Sequence, residues 1–411
     1  MPEKVVLAYS GGLDTSVAIK WIQENYGYDV VALTNDLGSE PDLPRIRQRA
    51  LDVGAVDAKV IDGRPDFLKY FAFPALQAGA IYEKVYPLAT AIGRPLIAKM
   101  LVDVAHEVGA KAVAHGCTGK GNDQVRLDVS VTALDPDLQI IAPVREWKLS
   151  RPAEIEYARQ NNIPIPATVD SPYSTDVNLW GRSVEAGVLE DPYQEPPADV
   201  WLWTKSPEDA PAKPEIIEIE FESGIPVALN GERMDGVQLV QRLNMIGGEH
   251  GVGRIDHVEN RLVGIKSREI YEAPGAVLLL QAHQELEDLC LSRDQARFKQ
   301  TVSAQIAEMI YNGLWFSRLH QDLRAFVQSS QTNVIGSVKL KLYKGSSMVV
   351  GRQSPQSLYR HDLATYDEGD NFDQAAALGF IKLWGLPLQT QTKYQLGAGA
   401  SELPKLTGAS E

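Results

Sequence analysis

A chain of 411 residues has room for two or three domains and a full core. Its hydrophobic share of 44% and charged share of 23% are those of a globular protein, and a formal charge of −14 argues against broad nucleic-acid binding, which needs basic surface. Cys117 and Cys290 are too few for a disulfide framework or a cysteine-based zinc site. No apolar run approaches the roughly 20 residues that span a bilayer, and no signal-peptide pattern opens the sequence. A cytoplasmic location without membrane contact is therefore expected.

The first element is Val5-Val6-Leu7-Ala8, an apolar run too short for a helix and typical of a buried parallel strand. Ser10-Gly11-Gly12 then turns the chain, and residues 14–26 read as a helix. A strand, a glycine turn and a helix start aim free N–H groups and the positive helix end at one point. The two glycines let backbone approach an anion, and Ser10, Thr15 and Ser16 add hydroxyls, so the stretch reads as a phosphate cradle. It has neither the Gly-x-x-x-x-Gly-Lys-Ser/Thr spacing nor Gly-x-Gly-x-x-Gly.

Further along, Asp29 to Thr34 predicts a strand ending at Asn35-Asp36, residues 43–53 a helix and Ala58 to Asp62 a strand. Apolar residues from Leu96 to Val108 recur at helical spacing, with Pro95 read as the start and Gly109 as the end. Lys111 to His115 and Gln139 to Ala142 are further strands. This alternation predicts an α/β fold with a doubly wound parallel sheet, whose ligands sit at the C-terminal strand ends. After a helix over 151–161, Ile163-Pro164-Ile165-Pro166 is a stiff connector, which sets the first domain at 1–166. Residues 167–365 read as an α+β domain, with hairpins around Ser223-Gly224 and Gly345-Ser346 and helical patterns near 237–246 and 275–327. Residues 366–411 carry an apolar helix over 370–384 that packs either on a partner subunit or on its own domain.

Gly116 to Arg126 is the second dense stretch: three glycines, an amide, a carboxylate, a lysine and an arginine at a strand end. Such polar side chains on a flexible backbone suit an amino acid or a nucleotide. Cys117 lacks an evident activating base and reads as a small packing residue.

Ser10-Gly11-Gly12-Leu13-Asp14-Thr15-Ser16 resembles the loop of the ATP pyrophosphatases, which split ATP to AMP and pyrophosphate. Together with His115 to Arg126, His250 to Asp256, Val258 to Arg261 and Gly264 to Glu272, it is similar to the argininosuccinate synthase family from about residue 4 to the C-terminal helix. The resemblance implies a ligase that condenses citrulline with aspartate at the expense of ATP, with Mg2+ on the phosphates and a homotetrameric assembly. The domain over 1–166 would then bind the nucleotide, 167–365 would be the synthetase domain, and 366–411 would hold the oligomer together. It also implies an ATP site of Ala8, Tyr9, Ser10, Gly11, Gly12, Leu13, Asp14, Thr15, Ser16, Asn35 and Gly116. Thr118, Asn122 and Asp123 would hold aspartate, and Tyr86, Ala91, Asn122, Arg126, Ser174, Ser183, Glu259 and Tyr271 citrulline. Asp14 and Asp123 are the residues put to catalytic use, Asp14 either meeting magnesium through water or capping the helix. No side chain stands out as a general base, so catalysis is expected to rest on positioning and charge stabilisation. Two positions depart from the family pattern: Asn35 stands where many relatives carry alanine, and Ala91 where some carry serine. A related tRNA thiolase would call for a basic surface and paired cysteines, which this chain lacks.

Overall fold

Val5, Val6 and Leu7 are fully buried at the centre of a five-stranded parallel sheet in the computed structural model, which describes residues 2–39, 42–147, 149–164 and 172–396. Its strands are β1 (Lys4–Ala8), β2 (Asp29–Asp36), β3 (Asp57–Asp62), β4 (Ala112–Ala114) and β5 (Gln139–Ile141), in the order β3-β2-β1-β4-β5. Alternation along β1 serves two cores. Val5 and Leu7 pack with Ala18, Ile19 and Ile22 of the helix Leu13–Tyr26, whereas Val6 joins Leu96 and Leu101 of the helix Ala89–Val108. The sheet is thus wound on both faces, and its order reverses between β1 and β4, where such sheets hold ligands.

The helix Ala89–Val108 starts six residues before Pro95, which therefore lies inside it rather than at its first turn. Proline in a helix interior removes one ladder hydrogen bond, and tertiary contacts outweigh that loss. Ala89, Ala91 and Ile92 are buried, Asn178 Nδ2 donates to the Ala89 carbonyl at 2.8 Å, and the Thr90 N–H donates to Tyr86 Oη at 3.0 Å. Of the expected connector at 163–166, Ile165 and Pro166 lie outside the described residues.

Two antiparallel sheets follow, formed by β6 (Ser174–Asn178), β7 (Gly181–Glu185), β8 (Glu215–Glu222), β9 (Ile225–Leu229), β10 (Glu232–Arg233), β11 (Arg254–Asn260), β12 (Lys266–Glu272), β13 (Gly336–Tyr343) and β14 (Ser346–Gln353). One has the order β10-β9-β8-β13-β14, the other β11-β12-β7-β6. The β8–β9 hairpin turns at Ser223-Gly224 as expected, and β13–β14 turns one residue earlier than expected, at Lys344-Gly345. All four of these turn residues have positive φ, as a two-residue type I′ turn requires. The helical stretch over 275–327 is three helices, Pro274–Cys290, Arg293–Tyr311 and Arg318–Ser330, because Ser292 and Ser317 each cap a new start.

The chain divides into two compact units, the second beginning at Leu358. In that unit the helix Gln374–Trp384 starts four residues later than expected, where Asp373 accepts from the N–H groups of Ala375 and Ala376. Leu378, Phe380, Ile381, Leu383 and Trp384 of this helix are all exposed.

Candidate active site

The loop after β1 is shaped by Gly11, whose φ of +77° favours glycine and whose position would bring a Cβ within 3.1 Å of Ile46. Arg49 Nη1 holds the Gly11 carbonyl at 2.5 Å. Gly12 is the N-cap of the helix Leu13–Tyr26, so no side chain occupies the first-turn N–H groups, and the helix end keeps its attraction for an anion. Ser10 Oγ and Thr15 Oγ1 lie 3.2 Å apart on a cavity of 360 Å³. Ala8, Tyr9, Gly12, Asp14, Asn35 and Gly116 also line it. The loops after β1 and β4 approach so closely that a Cβ on Gly116 would stand 3.1 Å from Thr15.

Three residues expected at the nucleotide act from behind this wall. Ser16 is fully buried, donating to the Gly12 carbonyl at 2.8 Å and sharing a 3.0 Å hydrogen bond with Tyr9 Oη. Leu13 packs with Val17, Ala158 and Ile163, and Gly11 sets the turn. Asp14 does not cap the helix with its side chain; its carboxylate takes Arg151 Nη1 at 2.5 Å. Arg151 also reaches Glu154 at 2.9 Å, and burial, then the neighbouring Asp14, pushes the Glu154 carboxyl up to about 8.

Gly121 caps the helix Asn122–Leu134, which puts Asn122 and Asp123 in its first turn and Arg126 one turn on. Asp123 lies between two guanidiniums, Arg94 Nη2 at 2.7 Å and Arg126 Nη1 at 3.1 Å. Burial opposes its charge, but the two arginines outweigh it and hold the carboxyl at about 2. Arg94 Nη2 also reaches Asp176 at 2.8 Å, and both Arg94 and Asp176 line the cavity. The Arg94–Asp123 pair therefore joins the glycine-loop cavity to a second cluster.

That cluster runs from Arg126 to β7. Arg126 Nε donates to the Tyr311 carbonyl at 2.9 Å, and its guanidinium lies 4.7 Å from the Tyr311 ring centroid. Tyr311 Oη and Tyr271 Oη each stand 2.6 Å from Glu259, which is 1% exposed. The Tyr271 ring stacks on Tyr86 at 4.1 Å, Tyr86 Oη accepts from the Thr90 N–H, and Thr90 Oγ1 is 3.3 Å from Ser183 Oγ. Strand register helps, since Tyr271 on β12 pairs with Ser183 on β7. Asn122 is held at both ends of its amide, donating to Tyr311 Oη at 2.8 Å and accepting from the Leu262 N–H at 2.9 Å.

The structure thus gathers Tyr86, Asn122, Asp123, Arg126, Ser183, Glu259 and Tyr271, with Ala91 buried nearby on the Tyr86-capped helix. It does not bring Thr118 or Ser174 into the cluster; both are exposed, Ser174 opening β6. Cys117 sits on the cavity, where its N–H donates to His115 Nδ1 at 3.2 Å and burial pushes its thiol up to about 12, which disfavours the thiolate a nucleophile needs. Sequence reasoning missed Tyr311, Arg94, Asp176 and Glu269. Arg94 alone left a signal, as the one charged residue between Ala89 and Ala98.

Residues 4–164 match the family model described as the arginosuccinate synthase N-terminal HUP domain, and residues 173–391 match that of the arginosuccinate synthase C-terminal domain. The chain belongs to the argininosuccinate synthase family. It is 58% identical over 395 residues to the argininosuccinate synthase of Dehalococcoides mccartyi, covering 96% of this chain and 97% of that one. The argininosuccinate synthase of Oceanobacillus iheyensis is 57% identical over 404 residues, 98% of this chain and 97% of its own length. That of Symbiobacterium thermophilum is 58% identical over 394 residues, 96% of this chain and 98% of its own. Among solved structures, the U34-tRNA thiolase NcsA of Methanococcus maripaludis aligns with 40% of this chain and 58% of its own at 16% identity and a TM-score of 0.27, too slight a likeness to bear on function. As a member of the argininosuccinate synthase family the chain is an enzyme, a ligase that forms a carbon–nitrogen bond.

Proposed function

We propose that the chain serves arginine biosynthesis by joining citrulline to aspartate, with ATP split to AMP and pyrophosphate through a citrulline-adenylate. The observation that carries this reading is the continuity of the site. One ion pair, Arg94–Asp123, belongs both to the wall of the anion-ready cavity and to a buried cluster rich in charged and phenolic groups. A nucleotide phosphate and an amino acid can meet there.

A ureido carbon is a poor electrophile. Its oxygen must first become a leaving group, which attack on the α-phosphate of ATP achieves, expelling pyrophosphate. The α-amino group of aspartate then attacks the activated carbon and expels AMP. Neither step needs an obligate protein base, so the side chains position and neutralise. In this reading the loop over 10–16, with Ala8, Asn35 and Gly116, takes ATP. The buried Asn35 Oδ1 has no hydrogen-bond partner, and the adenine amino group would supply one. Arg126 takes the carboxylate of citrulline and Glu259 its ammonium group, while Asp123 and Asn122, with Thr118, hold aspartate.

Among the described residues no group of three or more His, Cys, Asp and Glu side chains is placed to hold a metal. Mg2+ would therefore arrive on the triphosphate, bound mainly by phosphate and water, with Asp14 the carboxylate beside it once released from Arg151. No described helix is long and apolar enough to cross a membrane. A cytoplasmic homotetramer is part of the reading, supported by the uncovered apolar face of the helix Gln374–Trp384. So is the division into a nucleotide domain over 1–166, a synthetase domain over 167–365 and an assembly segment over 366–411.

Citrulline carrying oxygen-18 in its ureido group tests the chemistry. The label is expected in the phosphate of AMP, one atom per turnover. Label in pyrophosphate, or in water alone, would contradict adenylation of the ureido oxygen.

A further inference from the structure

Tyr271 Oη has one hydrogen but two carboxylate neighbours, Glu259 Oε2 at 2.6 Å and Glu269 Oε2 at 3.0 Å. It can donate to only one of them. The Tyr311 hydroxyl accepts from Asn122 Nδ2, so its own hydrogen goes to the other oxygen of Glu259, 2.6 Å away. Glu259 thus accepts from two phenols, one on each carboxyl oxygen. With the Tyr271 hydrogen on its shorter contact, to Glu259, the contact between Glu269 and Tyr271 is a hydrogen bond only when Glu269 supplies the hydrogen.

The surrounding charges agree. Facing Glu269 are Glu259 from β11 and Arg261 just after it, Glu185 from β7 and Tyr271 from its own strand β12, with Tyr86 stacked on Tyr271 and Tyr311 and Arg126 on the far side of Glu259. Arg261 Nη2 lies 3.3 Å from Glu269 but is shared with Glu185, to which it is bound more closely. Arg126 is already paired with Asp123. Glu185, Glu259 and Glu269 thus share one cation, Arg261, which leaves two negative charges in excess when all three are ionised. Burial first, then Glu259 and Glu185, pushes the Glu269 carboxyl up to about 8.

We propose that Glu269 is a positioning residue that carries a proton in the substrate-free enzyme, donates it to Tyr271, and gives it up when a cationic amino group docks on Glu259. The proposal rests on the reading that citrulline presents its ammonium group there. The balance is simple: the arriving ammonium adds one positive charge, the Glu269 carboxyl ionises, and its proton leaves to solvent. The site then holds two carboxylates around one ammonium, with Tyr271 still donating to Glu259.

Two measurements on the full-length enzyme test this. The infrared difference spectrum between the substrate-free wild type and E269Q at pH 7 is expected to contain the carbonyl stretch of a protonated carboxyl; its absence would overturn the proposal without reference to any substrate. Calorimetric titration of citrulline at pH 7, in buffers of different ionisation enthalpy and with a non-hydrolysable ATP analogue bound, is expected to give about one proton released per citrulline. E269Q keeps a donor to Tyr271 and is expected to bind citrulline with release near zero. The KM for citrulline should fall as pH rises from 6 to 8 in the wild type and stay flat in E269Q. Equal proton release in the two proteins, or a pH profile that E269Q leaves unmoved, would overturn the proposal. A wild type that fails to bind citrulline while showing the carboxyl band would overturn the proposed ligand and leave the Glu269 proton standing.

Discussion

Arg126→Lys is expected to lower kcat/KM for citrulline about a hundredfold or more while leaving the KM for ATP within about threefold. Arg126 is 3% exposed, and its guanidinium serves three partners at once: the Tyr311 carbonyl through Nε, Asp123 through Nη1 and the Tyr311 ring through its face. Lysine keeps the charge but offers a point donor instead of a planar fork. It can keep Asp123 or the Tyr311 carbonyl but not both, and it cannot grip a substrate carboxylate with two parallel bonds. Losing one partner of a buried, hydrogen-bonded charge pair costs about 2–5 kcal/mol, and 1.36 kcal/mol is tenfold in rate. The ATP side is insulated because Arg126 does not line the cavity under the glycine loop. Steady-state kinetics with each substrate varied in turn decides the matter, and a citrulline effect below about threefold would remove Arg126 from the citrulline site.

Asp123→Asn is expected to separate the two halves of the reaction. The variant keeps the shape of the side chain but loses the charge that Arg94 and Arg126 enclose. Argininosuccinate formation should fall by a hundredfold or more, with a raised KM for aspartate, whereas citrulline-dependent pyrophosphate release should persist within about tenfold. Arg94 retains Asp176, so one of the two buried cations stays paired. Removing a buried partner nevertheless costs about 3–5 kcal/mol in unfavourable cases, and a lower Tm is expected. Unchanged aspartate dependence would contradict the placement of that substrate.

The two glycine-rich stretches were legible in the sequence because each is contiguous. Strand, turn and helix start follow one another in β1 to Tyr26 and again from β4 to Arg126, so local rules suffice. The sheet β11-β12-β7-β6 was not. Its strands read Ser-Thr-Asp-Val-Asn, Arg-Ile-Asp-His-Val-Glu-Asn and Lys-Ser-Arg-Glu-Ile-Tyr-Glu, where Glu259 and Glu272 are buried because each bonds across strands, to Tyr271 and to Arg182. A site turned inward has the pattern of a solvated loop. Glu259 and Tyr271 were found only through family resemblance, and their partners Tyr311 and Glu269 were not found at all. Tyr311 ends a long helix with nothing local to mark it, and its role exists only where three distant segments meet. Pro95 misled in the opposite sense, since a residue that usually opens helices is here carried inside one by burial on both sides.

Pyrophosphate release from ATP, with citrulline and aspartate omitted in turn, tests the central claim most directly. Release that requires citrulline, with argininosuccinate appearing only when aspartate is added as well, is the predicted result. Release that neither amino acid affects would contradict it and leave an ATP-splitting fold acting on another acceptor.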